Sequence, residues 1–184
     1  EVRVLPLTGA DKPDAFPPQE PLYIAGRWTE GRADWLLLLC GRELYCGEAP
    51  GTELLDALYA LPNPKRFDDS KPFYKDALSR GREIFAPDFD FRLAGYLLSP
   101  NSSSYALERL CGEYGIPPAA LCVPEGAQLP GEAAAAACMP ALWQQLSEKI
   151  AGAEMDKLLH EIEMPLAEVL ADMENVGFLV DVPG

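Results

Sequence analysis

The spacing of apolar positions changes along this chain, and the changes divide it. Residues 22–28 and 34–39 are apolar stretches separated by a turn at Glu30-Gly31-Arg32. They read as two strands, with residues 42–46 as a third after a turn at Gly41, a meander of antiparallel strands. The longest apolar run, Trp35 to Cys40, suits a buried strand. Residues 2–7 alternate weakly, as a strand or a tail would. Residues 9–20 hold three prolines with Asp, Lys and Gly and read as an exposed linker.

From residue 52 the spacing turns helical. Leu54, Leu55, Leu58 and Leu61 share one face, Thr52 stands at a cap position, and Pro62-Asn63-Pro64 stops the helix. Residues 65–68 read as a short parallel strand leading to a helix over 72–80 that Gly81 ends. Ile84 and Phe85 read as a brief strand. Asp90 then caps a strongly apolar helix over 91–98. A serine of the loop at 100–104 is available to cap a helix over 105–114, and residues 117–131 form a loop rich in Pro and Gly. An alanine run at 132–137, interrupted by Pro140, precedes a long helix over 141–162. Leu142, Leu146, Ile150, Leu158, Leu159 and Ile162 are its buried face. Pro165, with no N–H to donate, can open a last helix. Leu166, Val169, Leu170, Met173 and Val176 form its apolar stripe, Gly177 ends it in a left-handed conformation, and residues 178–181 read as extended. Strands followed by helices alternating with short strands predict an α/β fold, a mixed sheet flanked by helices with a C-terminal helical extension.

Composition narrows the function. With 48% hydrophobic and 24% charged residues the chain is an ordinary globular domain. Its 184 residues suffice for a full core. No apolar run approaches the ~20 residues that cross a bilayer, so no membrane partner is expected. The formal net charge of −14 opposes nucleic-acid binding by the domain as a whole. The five cysteines, Cys40, Cys46, Cys111, Cys122 and Cys138, contain no Cys-x-x-Cys pair, which argues against a zinc site or disulfide framework. Cys40 and Cys138 read as small buried hydrophobes, and a cytoplasmic location is expected. A chain starting at Glu1 without a signal segment and ending in Val-Pro-Gly reads as a piece of something longer.

Two stretches carry a resemblance. Residues 163–181 read Glu-x-Pro-Leu-x-x-Val-Leu-x-x-Met-Glu-x-x-Gly-x-x-Val-Asp. This closely resembles the opening of the polymerase domain in bacterial DNA polymerase I, a family A DNA polymerase. Gly81-Arg82-Glu83-Ile84, Asp88-Phe89-Asp90 and Leu93-Ala94-Gly95-Tyr96-Leu97-Leu98-Ser99-Pro100 resemble the middle of that family's 3′–5′ exonuclease domain. The resemblance implies a ribonuclease H-like fold. It also implies a division into an N-terminal tail or linker (1–20), an exonuclease-like domain (21–150), and a helix leading into the start of the polymerase domain (151–184). The parent protein so implied synthesises DNA with Mg²⁺. The expected partners are then the polymerase domain of the same chain and, through it, DNA, with little or no DNA bound by this domain.

An active exonuclease of that family needs carboxylates that hold two metal ions, and Mg²⁺ requires oxygen ligands. The family's Asp-x-Glu motif falls at Gly26 and Trp28, and the Asp of its second motif falls at Phe73. Its third motif should lie within residues 133–147, which contain no Asp, Glu or Tyr. The expectation is therefore a degenerate, structural domain with no catalytic, cofactor-binding or metal-binding residue of its own. The alternative is a metal-dependent exonuclease using displaced acids such as Glu30, Asp69 and Asp90. A third reading is a stand-alone acidic protein-binding module. Asp76 is out of register with the motifs, His160 reads as a solvated or salt-linked helix residue, and the serines at 102–104 have no neighbouring His.

Overall fold

The computed structural model describes residues 1–7 and 16–177. At its centre lies the leucine run of strand β3 (Arg32–Cys40). Leu37 and Leu39 are buried on one face of the sheet, and Leu36 and Leu38 on the other. A strand apolar on both sides needs cover on both sides, and helices supply it. Strand β2 (Leu22–Thr29) pairs antiparallel with β3. The turn between them places Glu30 at φ 50° and Gly31 at φ 76°, the left-handed pair that a two-residue hairpin requires. Strand β4 (Glu43–Glu48) returns antiparallel on the other side of β3.

Four further strands pair in parallel. They are β1 (Val2–Pro6) on β4, β5 (Lys65–Phe67) on β2, β6 (Pro87–Asp90) on β5, and β7 (Leu121–Cys122) on β1. The seven-stranded order is β6-β5-β2-β3-β4-β1-β7. Helices α1 (Thr52–Ala60) and α2 (Lys71–Ser79) cover Leu22, Ile24, Leu36, Leu38 and Phe67. Helices α3 (Phe91–Leu98), α4 (Leu107–Glu113), α5 (Ala133–Ala136) and α6 (Met139–Gly152) cover Tyr23, Ala25, Leu37 and Leu39. A π-helical segment (Leu158–Glu163) leads directly into α7 (Met164–Val176), which lies against α2.

Several boundaries differ from the sequence expectation, each for a local reason. Residues 2–6 are a sheet strand, the first of the two readings of that stretch, and β1 joins the core. Gly51 rather than Thr52 occupies the cap position of α1, and no side chain caps it. Ile84 and Phe85 form no strand: Ala86, at φ 51°, interrupts the extended backbone and β6 begins after it. The long helix expected over 141–162 breaks where Glu154 takes φ 58°. Pro165 lies in the first turn of α7, directly after the π-helical segment. Proline cannot donate to the turn before it, and a widened turn accommodates its ring. Gly177 ends α7 at φ 69°, as expected. The extended segment expected at residues 178–181 lies outside the described residues.

Candidate functional site

Strand β2 ends beside the N-terminus of α2, and a cleft of about 320 Å³ opens between them and the starts of α3 and α4. Gly26, Trp28, Asp68, Asp69, Arg92 and Glu132 line it. The alternation of β2 puts Gly26 and Trp28 on one face, because residues two apart share a side of a strand. Phe73, in the first turns of α2, lies on that same face. Its ring meets the Trp28 indole edge-on with centroids 5.2 Å apart, and lies 5.0 Å from the Phe67 ring of β5. A Cβ added at Gly26 would lie 3.0 Å from Phe73 Cζ. The three positions at which the resemblance implies carboxylates therefore do converge in space, as an aromatic plug. Phe73 is wholly buried, and the Trp28 indole N–H has no partner.

Mg²⁺ does not fit the plug. A hard cation exchanges its water shell only for oxygen donors, and hydrogen, indole and phenyl offer none. Among the described residues no group of three His, Cys, Asp or Glu side chains is placed to hold a metal ion. Helix α5 lies against β2 and β3 with Ala133, Ala135 and Ala136 buried, so methyl groups face the sheet at the start of the stretch where the resemblance implies a third acidic motif.

The displaced acids are not brought together as a ligand set. Glu30 sits exposed in the β2–β3 turn. Asp69 lines the cleft and pairs with Arg92 at 3.1 Å. Asp90 is buried, and its two oxygens accept from backbone N–H groups, Oδ1 from Leu93 at 2.8 Å and Oδ2 from Ser70 at 2.7 Å. The first is the helix cap expected from sequence; the second ties the start of α2 to the start of α3. Burial, reinforced by the charge of Asp69, pushes the Asp90 carboxyl up to about 6. Asp76 lies outside the cleft described here, where it accepts from Tyr59 Oη at 2.7 Å and pairs with Arg80.

Asp68 is the cleft acid that the sequence did not single out. It follows the last residue of β5, and the open end of a parallel strand beside a helix start is where such residues gather. Its Oδ1 accepts from Asp69 N at 2.7 Å. Burial holds its carboxyl well above the usual range, with Asp69 and Asp90 adding to the effect. The cleft's two arginines are both engaged, Arg92 by Asp69 and Arg27 by Glu132. That leaves no free cation at this opening among the described residues. His160 is an exposed helix residue whose Nδ1 lies 2.9 Å from Asp156 O. Cys138 and Cys111 are buried, Cys40 is half-buried, and none is in a disulfide.

No family model matches the sequence, and no curated protein matches it. Solved structures do. The chain superposes on the POL domain of Pol1 from M. smegmatis in complex with DNA primer-template and dNTP, at a TM-score of 0.73 and 22% identity. That match covers 97% of this chain and 33% of the other, so the chain spans about a third of the Pol1 structure. A nuclease in its apo form matches at a TM-score of 0.68 and 12% identity, over 96% of this chain and 93% of that one. Brucella melitensis NrnC matches at 0.59 and 14% identity, over 93% and 87% of the two chains, and its form with bound Mg²⁺ at 0.57. The chain thus shares the ribonuclease H-like α/β fold of these structures.

Proposed function

We propose that this chain is a non-hydrolytic, exonuclease-like domain of a polymerase I, and that its role is to brace the polymerase domain of the same protein. In this reading residues 21–150 are the degenerate domain and residues 151–184 lead into the polymerase domain. The parent, acting in the cytoplasm, extends DNA primers with Mg²⁺ held by its own polymerase carboxylates. One observation carries the proposal: Gly26, Trp28 and Phe73 meet in a single aromatic contact at the positions where the family pattern has metal ligands.

The bracing surface is the outward face of α7. Leu166, Val169, Leu170, Met173 and Val176 are exposed, while Met164, Ala167 and Ala171 are buried. An apolar stripe on a monomer surface marks an interaction site. Glu163 and Asp172 flank the stripe and no basic residue of α7 does, so the complementary face carries Lys or Arg at its rim. A second copy of this chain would set acids against acids, which favours the polymerase domain as the occupant.

The test is a labelled oligonucleotide incubated with the 184-residue chain at low salt, with Mg²⁺ and separately with Mn²⁺. The oligonucleotide should remain full length, and calorimetry with millimolar Mn²⁺ should give no site-specific heat. Metal-dependent stepwise shortening from the 3′ end, abolished by Asp69→Ala or Asp90→Ala, would establish the displaced-acid exonuclease instead.

A further inference from the structure

Phe73 of the aromatic plug lies on α2, the helix that seats α7, and this joins the degenerate cleft to the exposed stripe. Helix α7 reaches the rest of the fold through α2 and the π-helical segment before it. Its seat is a face of small residues. Ala171 is wholly buried and belongs to the same core cluster as Phe73, Tyr74 and Ala77 of α2, and Ala167 is buried one turn earlier. Two lysines of α2, Lys71 and Lys75, both pair with Glu174 of α7, and Asn175 Nδ2 donates to Lys75 O at 2.9 Å. Exposed ion pairs of this kind contribute little individually, but alanine packing and three polar ties together make α7 follow α2.

Helix α2 is held at both ends by different means. Near its C-terminus Asp76 accepts from Tyr59 Oη at 2.7 Å, and Arg80, just past the helix, pairs with Asp56 and Asp76. Near its N-terminus the anchor is Phe73, wedged between Trp28, Phe67 and the bare backbone of Gly26. Close-packed interiors transmit a change in one side chain to its neighbours. A smaller residue at position 73 lets the N-terminal end of α2 settle toward β2 while the Asp76 end stays pinned. Lys71, one of the two lysines that clasp Glu174, is on the end that moves, while Lys75 adjoins the pinned Asp76.

We propose that Phe73 and Trp28 are positioning residues for α7: the plug that replaces the metal ligands sets the angle at which α7 presents Leu166, Val169, Leu170 and Met173 to its partner. This rests on the bracing role proposed above, and it assigns the degenerate cleft a mechanical function in that role. A carboxylate pair holding a metal there would leave α2 free to shift with metal occupancy, whereas a ring packed on a glycine holds it in one place.

Hydrogen exchange of the 184-residue chain tests this. In Phe73→Leu, amides of Met164–Val176 should exchange faster by roughly ten-fold or more, while those of Phe91–Leu98 keep their wild-type rates. Phe73→Met, whose side chain matches leucine in volume, should accelerate the same amides to a similar degree. In a Glu174→Gln background, where the lysine clasp is released, Phe73→Leu should accelerate α7 less than it does in the wild type. Should Phe73→Leu fail to fold, Trp28→Leu is read in the same way. Unchanged exchange over α7 while α2 loosens would overturn the proposal. So would equal acceleration in α3, which would mean general destabilisation. The oligonucleotide assay keeps the two ideas apart: shortening by the wild-type chain would overturn the non-hydrolytic reading and leave the coupling to be judged by exchange alone.

Discussion

Replacing Gly26 by alanine sets two opposing terms against each other, and the structure says which should win. In a strand, glycine is less favourable than alanine by ~0.5–1 kcal/mol because it loses more backbone freedom on folding. Against an open surface, Gly26→Ala would therefore stabilise. Here the new Cβ would lie 3.0 Å from Phe73 Cζ, 3.3 Å from Trp28 Nε1 and 3.4 Å from the Trp35 carbonyl oxygen. Favourable contacts between carbons lie at ~3.5–4.0 Å. Phe73 is wholly buried and cannot swing aside into solvent. Overpacking of this kind destabilises by ~1–3 kcal/mol, so the net expectation is a loss of up to ~2.5 kcal/mol. In a Phe73→Leu background the closest contact is gone, and Gly26→Ala should become neutral or stabilising. The coupling between the two sites is then ~1–3 kcal/mol. Urea titrations of the wild type, both single variants and the double variant measure it, provided that the slopes agree. A Gly26→Ala variant that is stabilised equally in both backgrounds would refute the aromatic plug as drawn here.

Three other expectations follow from buried polar groups and from the exposed stripe. Asp90→Asn should destabilise by ~1–3 kcal/mol, because the side-chain oxygens of Asp90 satisfy two backbone N–H groups. The Asp90 carboxyl is raised from its ordinary 3.8 to about 6 by burial, so the native state binds its proton more tightly than the unfolded chain does. That contribution is fully present below pH 3.8 and lost as pH rises through about 6, and the wild type's margin over Asp90→Asn in urea should shrink across this window. Lys65 is wholly buried, with Nζ donating to the carbonyls of Leu61, Asn63 and Phe85, and burial lowers it from 10.5 to about 8. Between those values the unfolded chain holds the proton that the native state has released, so stability rises with pH there. Lys65→Met, expected to destabilise by ~1–3 kcal/mol through unpaired carbonyls, should remove that slope in denaturation followed against pH. Val169→Lys on the exposed stripe should change stability by no more than ~0.5 kcal/mol, whereas Ala171→Asp, on the buried face of the same helix, should unfold α7 as read by hydrogen exchange.

Local rules made much of the fold legible from sequence. The leucine run of β3, the Glu30-Gly31 turn, the Asp90 cap and the Gly177 terminus each follow from burial on both faces, backbone freedom or a single side-chain bond. These depend on residues near in sequence, so the sequence alone determined them. The break at Glu154 and the failure of Ile84 and Phe85 to form a strand were hidden, because non-glycine residues at positive φ announce nothing in the apolar pattern. Sequence also determined what Gly26, Trp28 and Phe73 are, and therefore that none of them can bind a metal. Only the tertiary structure decided that residues 26, 28 and 73, from a strand and a helix, meet in one contact, and that Asp68, Asp69 and Asp90 stand near them already engaged. It also decided which face of α7 is buried. The periodicity marked Leu166, Val169, Leu170, Met173 and Val176 as the apolar face, yet these are exposed and the alanine side is seated. Periodicity reports that a stripe needs a partner; the close approach of two backbones selects the smallest side chains for the contact, and that choice belongs to the packed molecule.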